Sequence, residues 1–347
     1  MPPLSKPMNE VFVVFSAMSH PGSVVVHKSL KRLLTEAKTV VITSRQFKQD
    51  WENEADILHV ARFSLSLKLK RLIKAILNRS FLLRRLNNYL FSNFFSRWQW
   101  LTMPPHNARH FESLELVRNL PFGSWVFLVD SRDLVFQIDP FKLGIEMRKQ
   151  ADLHFFDERI RNFKTGSDQK NESSPANWNW SKMLVNGQVR RLSNLGPSWI
   201  INSGCISGTR EALIDFLEKS CKFLSESLYS TTDLLDQAST NFVVYENFLN
   251  SDFKVHANGE VVLNMCGKIE SVVEIAPAGL RIGNYLIPII HQFDRFGSWD
   301  PMKGFNQRKE ITIIIFKLTQ VINELIFKIN DLDLFIRFSR NNYSLSY

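Results

Sequence analysis

The chain has 347 residues, 44% hydrophobic and 22% charged, a composition that fits an ordinary globular protein and excludes disordered, collagen-like and coiled-coil classes. Its three cysteines, Cys205, Cys221 and Cys266, contain no C-x-x-C pair, which excludes a disulfide framework and a thiolate zinc site and points to a reducing compartment. The net charge is +9, but Arg62, Lys68, Lys70, Arg71, Lys74, Arg79, Arg84, Arg85, Arg97 and Arg109 all fall between Ile57 and Phe111, where there is no Asp or Glu; the remainder is close to neutral, unlike a surface built to grip a polyanion.

Residues 11–15 (VFVVF) and 39–43 (TVVIT) are short continuous runs of β-formers, the pattern of strands covered on both faces. Between them Val24, Val25, Leu30, Leu33 and Leu34 share one side of a helical wheel after the Pro21-Gly22-Ser23 break, so the amino terminus reads as strand, helix, strand in a parallel sheet. Residues 57–60 give a third strand, and 125–129 (WVFLV), entered from the Pro121-Phe122-Gly123 turn, a fourth. From 65 to 100 apolar residues recur at helical spacing among the basic ones, as in one or two amphipathic helices. Residues 161–197, rich in Asn, Ser, Lys and Gly, read as a long loop. A strand at 199–201, helices over 210–228 and 233–249, strands at 261–263, 271–275 and 285–290, and a helical segment over 311–338 complete the chain. This predicts one α/β domain over 1–304, with 62–110 as a basic helical insertion, and a helical appendage over 305–347. There is no apolar run of 18 uncharged residues and no leader pattern in the first ten residues, so a cytoplasmic protein is expected.

The chain lacks G-x-G-x-x-G, G-x-x-x-x-G-K-[ST], H-E-x-x-H and G-x-S-x-G, which weakens dehydrogenase, P-loop, zincin and elbow-hydrolase readings. What remains is Asp130-Ser131-Arg132-Asp133 directly after the fourth strand, followed by LVFQIDPF. Ligands of open α/β sheets bind beyond the carboxyl ends of strands. Two carboxylates there can hold Mg²⁺ or Mn²⁺, a metal that commonly completes its shell with substrate phosphate oxygens. The bland alternative is a polar turn in which Arg132 pairs with a neighbouring acid.

The D-S-R-D stretch between an apolar strand and a run ending in Asp-Pro-Phe resembles the metal-binding motif of GT-A type glycosyltransferases, the nucleotide-diphospho-sugar transferase fold. Two residues rather than one separate Asp130 from Asp133, which leaves open which acid ligates directly. WIINSG, with Asn202 and Gly204, resembles the family's strand and Asn-x-Gly segment on the sugar and acceptor side; the alternative is a tight turn. Asp236-Gln237, with Asn241 a turn later, resembles a helix start that approaches the reacting sugar; the alternative is an Asp stabilising a helix dipole. His291 in IIHQFDRF matches a late histidine that completes the metal shell, against a structural histidine as the alternative.

The resemblance implies a Rossmann-like open twisted mixed sheet flanked by helices, and transfer of a sugar from a nucleotide-diphosphate donor to a glycan, lipid or protein hydroxyl. It further implies Mn²⁺ or Mg²⁺ on Asp130, Asp133 and His291, with Ser16, His20, Asp130, Arg132, Asn202 and Gly204 around the donor. Asp236 and Gln237 would be catalytic, with retention of configuration favoured over inversion. The basic stretch 62–97 then suits an anionic membrane surface, peripheral to its inner face. The competing class is a non-catalytic binder that uses 62–109, with its interleaved aromatics, on anionic lipid or nucleic acid, nucleic acid ranking last. A nucleotidyltransferase on the same sheet is disfavoured, because no Gly-rich basic loop follows the first strand.

Overall fold

A computed structural model of the chain describes residues 10–18, 30, 33, 35–61, 103–158, 200–226, 235–245, 251–265, 273–276 and 279–292. The chain divides into two compact units, Met1–Pro301 and Met302–Tyr347, and the described residues all belong to the first. Most of the helix expected after the first strand, the basic helices of 65–100, the 161–197 loop, the 311–338 segment and His20 lie outside the described residues.

In chain order the strands are β1 (Val11–Ala17), β2 (Lys38–Thr43), β3 (Ile57–Val60), β4 (Trp125–Asp130), β5 (Leu134–Phe136), β6 (Leu153–Phe156), β7 (Cys205–Thr209) and β8 (Phe253–His256). They continue with β9 (Val262–Asn264), β10 (Glu274–Ala276), β11 (Gly279–Ile282), β12 (Tyr285–Leu286) and β13 (Ile289–His291). Four α-helices are described: α1 (Pro105–Arg118), α2 (Pro140–Arg148), α3 (Arg210–Glu226) and α4 (Asp236–Tyr245). Seven strands form an open sheet in the order β3-β2-β1-β4-β7-β6-β8. Among these, β7 alone runs antiparallel to its neighbours. The expected class, a Rossmann-like mixed sheet flanked by helices, is the one observed.

Side chains of a strand alternate between faces, and both faces here are covered. Val11, Val13, Phe15, Trp125, Phe127 and Val129 face one core, shared with α2 and a small sheet in the order β5-β13-β9. Phe12, Val14 and Val126 face the other, filled by apolar residues of α1, α3 and α4. That double burial is why β1 and β4 carry uninterrupted apolar runs.

Two strand expectations are corrected. Of 199–201 the described residues are 200 and 201, of which Ile201 makes an isolated bridge, to Asp157, and the strand proper is β7. Its sequence, CISGT, is poor in strong β-formers, yet the slot between β4 and β6 demands small residues: a Cβ on Gly208 would lie 2.6 Å from the Asp152 carbonyl oxygen. The 285–290 run divides into β12 and β13, which belong to different sheets. Pro288 separates them, and its carbonyl accepts from Gln137 N–H at 2.8 Å. Helix α2, which no periodicity revealed, is announced by its start: the Asp139 side chain accepts from Phe141 N–H at 2.9 Å, with Pro140 in the first turn.

Helices α1, α3 and α4 are fastened by a buried polar chain. His110 Nδ1 meets Ser220 Oγ at 2.9 Å, and Ser220 Oγ in turn bonds Ser239 Oγ. Burial, reinforced by the neighbouring Arg109 charge, pushes the His110 pKa down to about 3. The unfolded chain takes up a proton near pH 6.5 that the folded chain refuses, so stability present above that value is lost as pH falls from about 6.5 towards 3. Urea unfolding across this window should show a smaller loss in His110→Asn than in the parent; superimposable pH profiles would contradict a buried neutral imidazole.

Candidate functional site

The order of the large sheet reverses at β1, with β2 and β3 on one side and β4 on the other. A crevice opens at such a reversal beyond the strand ends. Ser16 and Asp130 are register partners at the ends of β1 and β4. A cleft enclosing about 740 Å³ of empty space, part of it open to solvent, lies beside them, lined among others by Ser16, His106, Arg109, Asp130, Arg132 and Asp133. Ser131 Oγ donates to the Ser16 carbonyl at 2.7 Å, which ties the two strand ends together.

Arg109, on the buried side of α1, is the hub of the floor. Its Nη1 donates to Asp130 Oδ1, and its Nη2 to the Ser203 carbonyl at 2.8 Å, Ser203 Oγ at 2.9 Å and Asp236 Oδ2 at 2.7 Å. Burial alone would lower the guanidinium's pKa, but Asp130 and Asp236 overcome it and raise the value. Burial likewise opposes ionisation of both acids, yet Arg109 holds each well below the usual carboxylate range. Asp236 opens α4 and accepts a second bond, from Ser203 Oγ at 3.1 Å.

The small sheet delivers the third group. In β13, His291 is the register partner of Leu134 in β5 and of Asn264 in β9, so it emerges beside Asp133. Asn264 Nδ2 donates to the Asp157 carbonyl at 2.9 Å, which turns its Oδ1 to accept from His291 Nδ1 at 2.8 Å. His291 Nε2 is thereby aimed at two carboxylates, 3.5 Å from Asp130 Oδ2 and 3.6 Å from Asp133 Oδ1. These separations exceed a hydrogen bond and suit donors gathered around one cation, with bonds of about 2.0–2.2 Å each. Among the described residues His291 Nε2 is buried with no hydrogen-bond partner. Burial presses its pKa down, but the two carboxylates outweigh it and raise the value. The next residue, Gln292, is left-handed at φ 62° and donates its N–H to the Asp133 carbonyl at 2.6 Å. Strain of that kind persists where surrounding structure over-determines it.

Gly204 lies directly against this cluster. A Cβ there would sit 2.5 Å from His291 Cε1 and 2.6 Å from both His291 Nε2 and Asp130 Oδ2. Its carbonyl accepts from Asp130 N–H at 2.8 Å, and its own N–H donates to Asn202 Oδ1. Asn202 Nδ2 donates to Glu158 Oε1, and Gln237 Nε2 donates to Glu158 Oε2 at 3.0 Å.

Of the residues singled out from sequence, Ser16, Asp130, Arg132 and Asp133 line the cleft. Gly204 and His291 abut its carboxylates, and Asp236 joins through Arg109. Asn202 and Gln237 lie in a buried layer behind, bonded to Glu158. Arg132 Nη2 pairs with Asp133 Oδ2 at 2.9 Å and is half-exposed. Sequence reasoning counted Arg109 only among the surface charges and passed over Glu158 and Asn264. Arg109 was findable: two acids at a strand end, Asp130 and Asp133, call for a cationic partner on a neighbouring element. No signal at the sequence level marked Asn264.

No protein-family model matches the chain, and no curated protein matches it. Solved structures that resemble it include 4-diphosphocytidyl-2C-methyl-D-erythritol synthase from Anaerococcus prevotii, at 10% identity and a TM-score of 0.35, over 72% of this chain and 89% of that one. A likeness that loose carries no functional argument, so the chemistry rests on the geometry above. No helix among the described residues is long and apolar enough to cross a membrane.

The approach of Gly204 generates a test. Gly204→Ala should weaken Mn²⁺ binding, measured by calorimetry, at least about ten-fold by forcing His291 and Asp130 apart; an unaltered affinity would mean that these side chains do not act on a common ion.

Proposed function

We propose that the protein is a divalent-metal-dependent glycosyltransferase of GT-A type, which moves a sugar from a nucleotide-diphosphate donor to a hydroxyl of a glycan, lipid or protein. The observation that carries the reading is the convergence of Asp130, Asp133 and the unpartnered Nε2 of His291 at the end of β4. Two carboxylate oxygens and an imidazole fit Mn²⁺ and tolerate Mg²⁺. The charges agree: the carboxylates of Asp130, Asp133, Asp236 and Glu158 outnumber the guanidiniums of Arg109 and Arg132 with which they are grouped. A divalent cation bound there supplies neutralisation of the diphosphate leaving group.

The chain's own groups do the remainder. Ser16 and the β1 end, with His20 beyond it, receive the nucleoside. Arg132, half-exposed at the cleft, can swing from Asp133 to the diphosphate. Arg109 is a fixed positive charge whose orientation is set by Asp236, so it costs no reorganisation when negative charge develops. Gly204 shapes the wall against the sugar, held from behind by Asn202. Gln237, in the layer behind, would present its carbonyl oxygen towards the anomeric carbon, which favours retention. The nucleotidyltransferase alternative lacks a basic Gly-rich loop after β1 in the sequence.

A thermal-shift panel of UDP- and GDP-sugars tests the reading, since a ligand that binds only the folded state raises its stability. At least one sugar nucleotide should stabilise the protein in Mn²⁺ and much less in EDTA. Failure of the whole panel in both conditions would overturn the transferase reading. For the selected donor, Asp133→Ala and Asp130→Ala should abolish Mn²⁺-dependent binding, and His291→Ala should weaken it by about ten-fold or more.

Turnover separates catalysis from binding. Gln237→Ala should lower kcat with little change in donor affinity, as expected of an interaction that matters most in the transition state. Asp236→Ala should lower kcat too, because Arg109 loses an anchor. If both variants turn over at the parental rate, the catalytic assignment fails, whatever happens to stability.

A further inference from the structure

Glu158 lies just beyond β6, buried, where the sequence offered no motif. Its backbone is fixed from two sides: its N–H donates to the Ile200 carbonyl at 2.8 Å, and its carbonyl accepts from Asn258 Nδ2 at 3.1 Å. Its two carboxylate oxygens face two carboxamides. Oε1 accepts from Asn202 Nδ2, and Oε2 from Gln237 Nε2 at 3.0 Å. Asn202 and Gln237 are themselves more than nine-tenths buried.

A carboxamide has nearly the same shape after a 180° turn, so packing does not choose between its oxygen and its nitrogen; hydrogen-bond partners do. An ionised carboxylate only accepts. It therefore obliges both neighbours to present NH₂ to it and to send their oxygens elsewhere. For Asn202 that destination is the Gly204 N–H. For Gln237 it leaves the carbonyl oxygen as the face turned away from Glu158.

We infer that Glu158 is the positioning residue that sets the amide orientation of Gln237, so that an oxygen rather than an NH₂ group meets the sugar. The inference rests on the transferase reading for its consequence, and on the donor and acceptor pattern for its geometry. The chemistry is one of sign: an amide oxygen stabilises positive charge developing on an anomeric carbon, whereas an NH₂ group in its place opposes it.

Substitution by glutamine makes the test sharp. Gln at 158 keeps the volume but offers one acceptor and one donor to two NH₂ groups, so one neighbour must turn over. Asn202 is also held by Gly204 N–H, so Gln237 turns. Glu158→Gln should lower kcat about a hundred-fold, the scale of loss from a misplaced group, while the Kd of a UDP- or GDP-sugar with Mn²⁺ stays within a few-fold. In ¹⁵N-resolved spectra the Gln237 side-chain NH₂ should lose its protection from exchange. Adding Gln237→Glu should recover at least ten-fold in kcat: Gln at 158 then accepts from Asn202 and donates to the new carboxylate, whose second oxygen faces the sugar. Parental kcat in Glu158→Gln, or an unchanged Gln237 NH₂ signal, overturns the inference. If the parent turns over no sugar nucleotide, the transferase reading has failed, and the amide signal alone decides whether Glu158 orients Gln237.

Discussion

The charge on Arg109 is the interaction on which the rest of the site depends. One buried guanidinium from α1 gathers the end of β4 through Asp130, the turn at Ser203, and the start of α4 through Asp236. These segments are far apart in sequence, and without the cation two acids would face each other inside the protein. Removing one partner of a buried, hydrogen-bonded ion group commonly costs about 3–5 kcal/mol, because the remaining charge is left uncompensated. Such an arrangement is rigid, which suits a site where fixed charges must lie ready before a reaction begins.

The second constraint is the meeting of two sheets. The large sheet brings Asp130, and the β5-β13-β9 sheet brings Asp133 and His291. Asn264 sets the histidine tautomer from the adjoining strand, and Asn258 links that strand to Glu158 by accepting from Asn264 N–H at 2.7 Å and donating to the Glu158 carbonyl. Gly204 lets the two sets of donors approach. Left-handed backbone at Gln292, a short step from His291, is held by the Asp133 carbonyl and belongs to the same corner.

The legible parts of the sequence share a physical cause. Strands β1, β2 and β4 were found to within two residues because continuous runs of β-formers mark strands covered on both faces; β3, also found, is a half-buried edge strand. Helix α3 was legible from its amphipathic spacing. Strand β7 was not, since its residues are small to fit between neighbours and their composition imitates a turn. Helix α1 was hidden because its buried residues mix Asn107, Arg109, His110 and Glu112 with Ala108, Phe111, Leu116 and Val117: it packs a polar site and an apolar core together, which blurs the apolar spacing. The site followed the same division. Strand-end acids and a histidine after an apolar run stand out in a sequence. Arg109, Glu158 and Asn264 act through partners 21 to 127 residues away, and nothing local in the chain announces those pairings.

The central claim is that Asp130, Asp133 and His291 hold one divalent cation. Crystals of the protein grown with Mn²⁺ and measured on both sides of the manganese absorption edge test it most directly. The account requires an anomalous peak within bonding distance of His291 Nε2 and of an oxygen from each aspartate, lost in Asp133→Ala crystals. A manganese peak elsewhere, with the His291 imidazole hydrogen-bonded to an aspartate instead, would contradict it.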